Sequence, residues 1–131
     1  MKGGGGIALD KGALLILDEV QTGLWRVGKF FAFEKKVVRD IYFLGKGGAG
    51  GIPAGVAFFS EEASTVGEPG FHTSTYGGNP LACAAGAATM RLLRETVTRE
   101  TVEERSRAFR DRLEALMNLR IVREMRISGL M

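Results

Sequence analysis

Ala13-Leu14-Leu15-Ile16-Leu17-Asp18 and Asp40-Ile41-Tyr42-Phe43-Leu44-Gly45-Lys46 are the two stretches on which the fold turns. Each is an apolar run without polar alternation, and each ends abruptly at a charged residue or a glycine. Unbroken runs suit strands covered on both faces, the setting of a parallel sheet with helices on either side. Residues 13–17 and 41–44 are therefore predicted as buried strands. In a parallel sheet the C-terminal ends of such strands open on one side, where α/β folds bind ligands. Asp18 and Lys46 should then point into one cleft from neighbouring strands.

A third apolar run, 54–59, follows Pro53 and reads as another strand. Residues 28–36 could make a short helix. Residues 64–79 are rich in Ser, Thr, Gly and Pro and read as loop. Asn79-Pro80 then opens a helix over 80–96, since proline is tolerated in a first turn. Its run of Ala82, Ala84, Ala85, Gly86, Ala87 and Ala88 predicts close packing against a neighbour. A second helix over 99–117 lines up Val102, Phe109, Leu113 and Leu116 on one face. Residues 119–126 alternate weakly and are predicted as a final strand. The glycine-rich residues 1–12 offer little to pack. This order of elements argues for an α/β chain with a mainly parallel sheet and flanking helices.

Composition narrows the function classes. The chain has 131 residues, 18 basic and 15 acidic, for a net charge of +3, and 45% of it is apolar. That apolar content argues against disorder. Nineteen glycines occur without a Gly-x-y period, which excludes collagen. No apolar run approaches the ~18 residues of a membrane span, and the start lacks the apolar stretch of a secretory signal, so a cytoplasmic setting is expected. Cys83 is the single cysteine, which excludes an internal disulfide and a cysteine-based zinc cluster; no metal site is expected. From Arg91 onward, arginines interleave with acids at helical spacing. That pattern describes a solvated helix face rather than a nucleic-acid surface.

Four places could carry chemistry: Asp18-Glu19-Val20-Gln21, Gly45-Lys46-Gly47, the loop from His72 to Pro80, and Cys83. Gly45, Gly47 and Gly50 fit the dinucleotide pattern G-x-G-x-x-G, but Ile52-Pro53 and a strand-like run follow where that pattern needs a helix. Lys46 lies among these glycines just past a strand end. A lysine that attacks a carbonyl needs such a setting: partial desolvation, and a backbone that lets a flat ligand come close. A solvated loop lysine fits the same residues. Asp18 opposite Lys46 is either a structural ion pair or a clamp on a pyridine cofactor, with the carboxylate at the ring nitrogen and the lysine at the other end. Ser74-Thr75 before Gly77-Gly78 is a plausible anion-binding turn, though an ordinary loop reads the same way. His72 reads as a loop histidine and Cys83 as a small packing residue.

LLILDEVQTGLWRVGKFFAFE (14–34), DIYFLGKGGAGGIPAG (40–55) and HTSTYGGNPLACAA (72–85) occur in the order and spacing of the signatures of the class III pyridoxal-phosphate aminotransferases. The chain resembles that family from about Gly12 to Met131, most closely its acetylornithine and ornithine branch. The resemblance implies part of the large domain of the type I aminotransferase fold over 13–131, continuing towards a C-terminal domain, with 1–12 outside the match. It implies pyridoxal 5'-phosphate as cofactor and Lys46 as the Schiff-base lysine and proton shuttle. Asp18 would pair with the pyridine nitrogen, Val20 would pack on a ring face, and Gln21 would bind the ring hydroxyl. Thr75 would bind the phosphate of the partner subunit's cofactor, with Ser74 near the substrate.

The implied reaction moves an amino group from an acetylornithine- or ornithine-like amino acid to 2-oxoglutarate, in a homodimer. A 4-aminobutyrate or other ω-amino acid transaminase is the alternative within the family. A non-catalytic product that contributes only an interface is the alternative outside it. Family members are about three times longer, so the resemblance implies an internal fragment that is inactive alone. Where the family reads Gly-Leu-Gly-Arg-Thr-Gly, this chain has Gly23-Leu24-Trp25-Arg26-Val27-Gly28.

Overall fold

The computed structural model describes residues 4–33, 40–65, 67–68 and 70–131. Helix α1 (Gly4–Asp10) precedes strands β1 (Ile16–Asp18) and β2 (Ile41–Leu44). A 3-10 turn (Lys46–Ala49) leads to β3 (Val56–Phe59) and the short helix α2 (Glu61–Ser64). The long helices α3 (Pro80–Thr96) and α4 (Arg99–Glu114) follow, the second extended by a 3-10 turn over Ala115–Asn118.

The sheet has the order β1-β2-β3. β1 and β2 are parallel, with Asp18 opposite Phe43, and β3 runs antiparallel to β2, with Tyr42 opposite Phe58. The parallel pair is the one the sequence predicts. The third strand makes the sheet mixed, because the connection over 45–55 is shorter than the dozen or more residues a parallel crossover requires.

β1 is shorter and more exposed than predicted. Only Ile16–Asp18 pairs, and Leu14 and Ile16 are 60% and 53% exposed. Among the described residues β1 has one neighbour, β2, and its ladder stops where the Leu15 N–H donates to Asp40 Oδ2 at 2.7 Å instead of to a strand. β3, on the other side of β2, is exposed along its whole length.

The predicted short helix over 28–36 does not form in 28–33, and 34–36 lie outside the described residues. Phe31 and Phe33 lay their rings on the sheet instead. Phe31 stacks on Phe33 with centroids 4.9 Å apart, both meet Tyr42 edge-on at 5.5 and 5.4 Å, and Tyr42 stacks on Phe58 at 4.5 Å. Tyr42 and Phe58 are cross-strand partners, so the register sets this aromatic face.

The helices begin where the sequence places them. Asn79 Oδ1 accepts from the Ala82 N–H at 2.9 Å, capping α3 with Pro80 in its first turn. Thr98 and Thr101 exchange side-chain and backbone bonds at 3.2 and 3.3 Å to start α4. The predicted strand over 119–126 is absent. Arg120, Arg123 and Arg126 break up its apolar face, Ile121 is 88% exposed, and no strand lies beside it among the described residues. None of the described helices is long and apolar enough to cross a membrane.

Candidate active site

The site forms where β1 and β2 end side by side. Beyond β2 the chain passes Gly45 and enters the 3-10 turn that begins at Lys46. Gly45 packs closely on Val20: a β-carbon there would lie a tight 3.2 Å from Val20 Cγ1 and an ordinary 3.6 Å from Cγ2. Lys46 is held at φ 45°, a left-handed conformation that costs a non-glycine residue about 1–2 kcal/mol. The turn closes at Gly50, φ 62°, whose N–H donates to the Gly47 carbonyl at 3.2 Å. Strain of this kind survives only where the surroundings over-determine it.

Helix α3 supplies those surroundings. A β-carbon on Gly86 would be 3.7 Å from the Gly48 carbonyl oxygen, and one on Gly50 would be 3.0 Å from Thr89 Oγ1. The small residues of α3 thus let the helix approach the lysine-bearing turn. This turn is the neighbour that the alanine-rich stretch predicts, and buried Ala49 and Ala82 lie in the two elements.

Beyond β1, Asp18 Oδ1 accepts from the Val20 N–H at 2.9 Å, which folds the chain sharply after the strand. Glu19 is the buried acid of the site, 4% exposed. Thr22 Oγ1 donates to its Oε2 at 2.5 Å, the Phe33 N–H donates to its Oε1 at 3.0 Å, and its own N–H donates to the Phe43 carbonyl. Glu19 ties the loop after β1 both to itself and to β2. No role for it is read from the sequence; the available signal is an acid directly after a strand end with a hydroxyl three residues on.

Val20, Gln21 and Lys46 line one cavity of about 340 Å3 with Leu24 and Arg26. Asp18 sits on the adjacent strand end but does not line that cavity, and among the described residues no ion pair joins it to Lys46. The single shared cleft of the sequence reading is thus met in part. Lys46 is exposed rather than partly desolvated, because the turn carries it beyond the last residue that pairs with β1. Ser74 lies elsewhere, in a second cavity of about 540 Å3 between β3, α3 and the loop before it. Ser74 Oγ accepts from the Gly77 N–H at 3.0 Å. Thr75 and His72 are exposed and line neither cavity; Cys83 is exposed and borders the larger one.

The class-III aminotransferase family profile matches residues 4–131. The chain belongs to the class-III aminotransferases. It is similar to the acetylornithine aminotransferase of Caldanaerobacter subterraneus, 48% identical over 120 residues that are 90% of this chain and 30% of that protein. It is also similar to the LysW-aminoadipate semialdehyde transaminase of Deinococcus radiodurans, 45% identical over 95% of this chain and 29% of that protein. The chain therefore spans under a third of these relatives.

Among solved structures, an ornithine aminotransferase of Toxoplasma gondii described with partial occupancy of pyridoxal phosphate in its active site superposes with a TM-score of 0.83. It is 35% identical and covered over 95% of this chain and 30% of that one. The N-acetylornithine aminotransferase of Stenotrophomonas maltophilia gives a TM-score of 0.78 at 31% identity, over 97% of this chain and 33% of that one. The α/β arrangement of this class-III chain, with its mixed sheet and helices, is thus that of part of the type I aminotransferase fold.

Proposed function

We propose that this chain is the lysine-bearing part of a pyridoxal 5'-phosphate-dependent aminotransferase that transfers the amino group of an acetylornithine- or ornithine-like amino acid to 2-oxoglutarate. The observation that carries the reading is the strained Lys46 at the end of β2, in one cavity with Val20 and Gln21 and beside the strand end of Asp18. The donor set fits the cofactor: an amine, an amide and an apolar branched side chain in one cavity, with a carboxylate on the adjoining strand.

When bound, the cofactor supplies an electron sink for charge developing at the substrate's carbon. Lys46 would hold the cofactor through its side-chain amine and, when that amine is free, would hold or move a proton at the substrate's reacting carbon. The Asp18 carboxylate would keep a proton on the ring nitrogen. The Val20 methyls would exclude water from one ring face, and the Gln21 amide would donate to the ring oxygen. Thr75, outside the Lys46 cavity of its own chain, would serve the phosphate in a partner subunit, with Ser74 near the substrate; both roles presuppose a homodimer. The amino-acid and 2-oxo-acid substrates belong to a cytoplasmic metabolic setting.

The relative from Deinococcus radiodurans favours a second reading at the level of substrate, a semialdehyde transaminase in which an aminoadipate-derived semialdehyde would accept the amino group. The test of the main reading is visible absorbance after addition of pyridoxal phosphate. The wild-type chain is expected to develop a band that Lys46→Ala abolishes and Asp18→Asn weakens. A band of undiminished strength in Lys46→Ala would overturn the assignment.

A further inference from the structure

We propose that a cavity of about 400 Å3, enclosed by the 24–26 loop, the end of α3 and the start of α4, is a second ligand site that takes a small aromatic carboxylate. It is a different space from the Lys46 cavity, and neither Lys46 nor Met131 lines it. Its floor is apolar: Trp25 from the loop, Leu93 and Val97 from the end of α3, and buried Val102 from α4. Its charged residues are Arg26 and Arg105, and no acidic residue lines it. An apolar wall with a few polar groups, in a space of this size, is the common form of a small-molecule site.

Arg105 has no counter-charge at helical spacing. Thr101, Val102, Ala108 and Phe109, three and four residues away, carry none, whereas Arg99 meets Glu103 at 3.9 Å. Among the described residues neither Arg105 nor Arg26 makes an ion pair. Both are exposed, so a ligand carboxylate would stay at the mouth of the cavity while its apolar body leaves water. Trp25 gives that body an aromatic wall, with Phe30 edge-on to its ring at a centroid distance of 6.2 Å. The indole N–H of Trp25 is buried and meets no acceptor among the described residues. Leu24 and Trp25 both hold left-handed backbone, at φ 57° and 70°. Strained non-glycine residues and an unpaired buried donor gather at ligand sites rather than in ordinary loops.

Calorimetric titration of the full chain with 3-phenylpropionate tests the proposal, with the emission of Trp25, the single tryptophan, followed alongside. The wild type is expected to bind and to shift that emission. 3-Phenylpropan-1-ol, which lacks the charge, and propionate, which lacks the ring, should bind at least tenfold more weakly. Arg105→Gln should weaken binding fivefold or more, whereas Arg107→Gln, the same charge change on α4 outside the cavity, should leave it unchanged. Wild type that fails to bind, equal binding of the alcohol or of propionate, undiminished affinity in Arg105→Gln, or an equal loss in Arg107→Gln overturns the proposal. Binding that disappears in Lys46→Ala would place the ligand in the other cavity and overturn it equally. Should Arg105→Gln unfold, Arg26→Gln decides: a fivefold loss supports the site, and unchanged affinity overturns it.

Discussion

Gly129 packs backbone against backbone on Gly28: a β-carbon at 129 would sit 2.4 Å from the Gly28 nitrogen and 2.7 Å from the Arg26 carbonyl oxygen. Gly129 also stands at φ 62°. Through this contact the 128–131 segment holds the loop that carries Arg26, and Leu130 and Met131 complete a wall of the Lys46 cavity.

Gly129→Ala should therefore cost about 2–4 kcal/mol, roughly 1 from the left-handed backbone and 1–3 from a clash that rigid backbone cannot relieve. Chemical denaturation checks this. A loss under ~0.5 kcal/mol, the size of a neutral surface change, would mean that the two loops are not in contact.

Lys46 allows stability and chemistry to be separated. Glycine occupies φ 45° freely, whereas alanine bears the same strain as lysine. Lys46→Gly should be more stable than Lys46→Ala by about 1 kcal/mol, while both lose the cofactor band equally. Equal stability of the two variants in urea would show that the turn is not left-handed at this residue.

Glu19→Ala should destabilise by about 1–2 kcal/mol, because it leaves the half-buried Phe33 N–H and Thr22 hydroxyl without their acceptor. The loop over 20–33 is expected to loosen first. Hydrogen exchange at Gly23 and Phe33 should accelerate well before exchange in α3.

Acid should loosen α4 from its N-terminus. A hydrogen bond from its own backbone N–H, then the Thr98 hydroxyl and the charge of Arg99, hold the exposed Glu100 carboxyl below the usual carboxylate range. The folded value lies under the unfolded one, so the stabilisation is complete above the unfolded value of about 4.3 and fades as pH falls through the folded one. Helix content followed by circular dichroism below about pH 4.3 should fall less steeply in Glu100→Gln than in the wild type.

The long helices were legible because their signals are local. Asn79-Pro80 and Thr98 mark starts that need only a cap, and the observed α3 spans the predicted 80–96. β2 was legible from its apolar run. What escaped depends on partners distant in sequence. Residues 28–33 look like a helix start, yet Tyr42 and Glu19 draw Phe31 and Phe33 onto the sheet. Residues 119–126 have the alternation of a strand but, among the described residues, no strand to lie beside. In the site, the placing of Lys46 past β2 followed from the run ahead of it, whereas the burial of Glu19 and the turning of Asp18 towards the Val20 N–H depend on loop geometry that no periodicity records.

The parallel pairing of β1 with β2 also sets an order in time. Asp18 and Lys46 reach adjacent strand ends only after the chain from Glu19 to Asp40 has closed into a loop, a cost that the helices, built from contacts within a few residues, do not bear. On refolding, α3 and α4 should acquire their backbone bonds early, and the lysine turn should find its place later, when the sheet registers. Cofactor capture would then lag the helical signal. A newly made chain would acquire its scaffold before its chemistry, and a cofactor arriving last would reward the native register without nucleating it.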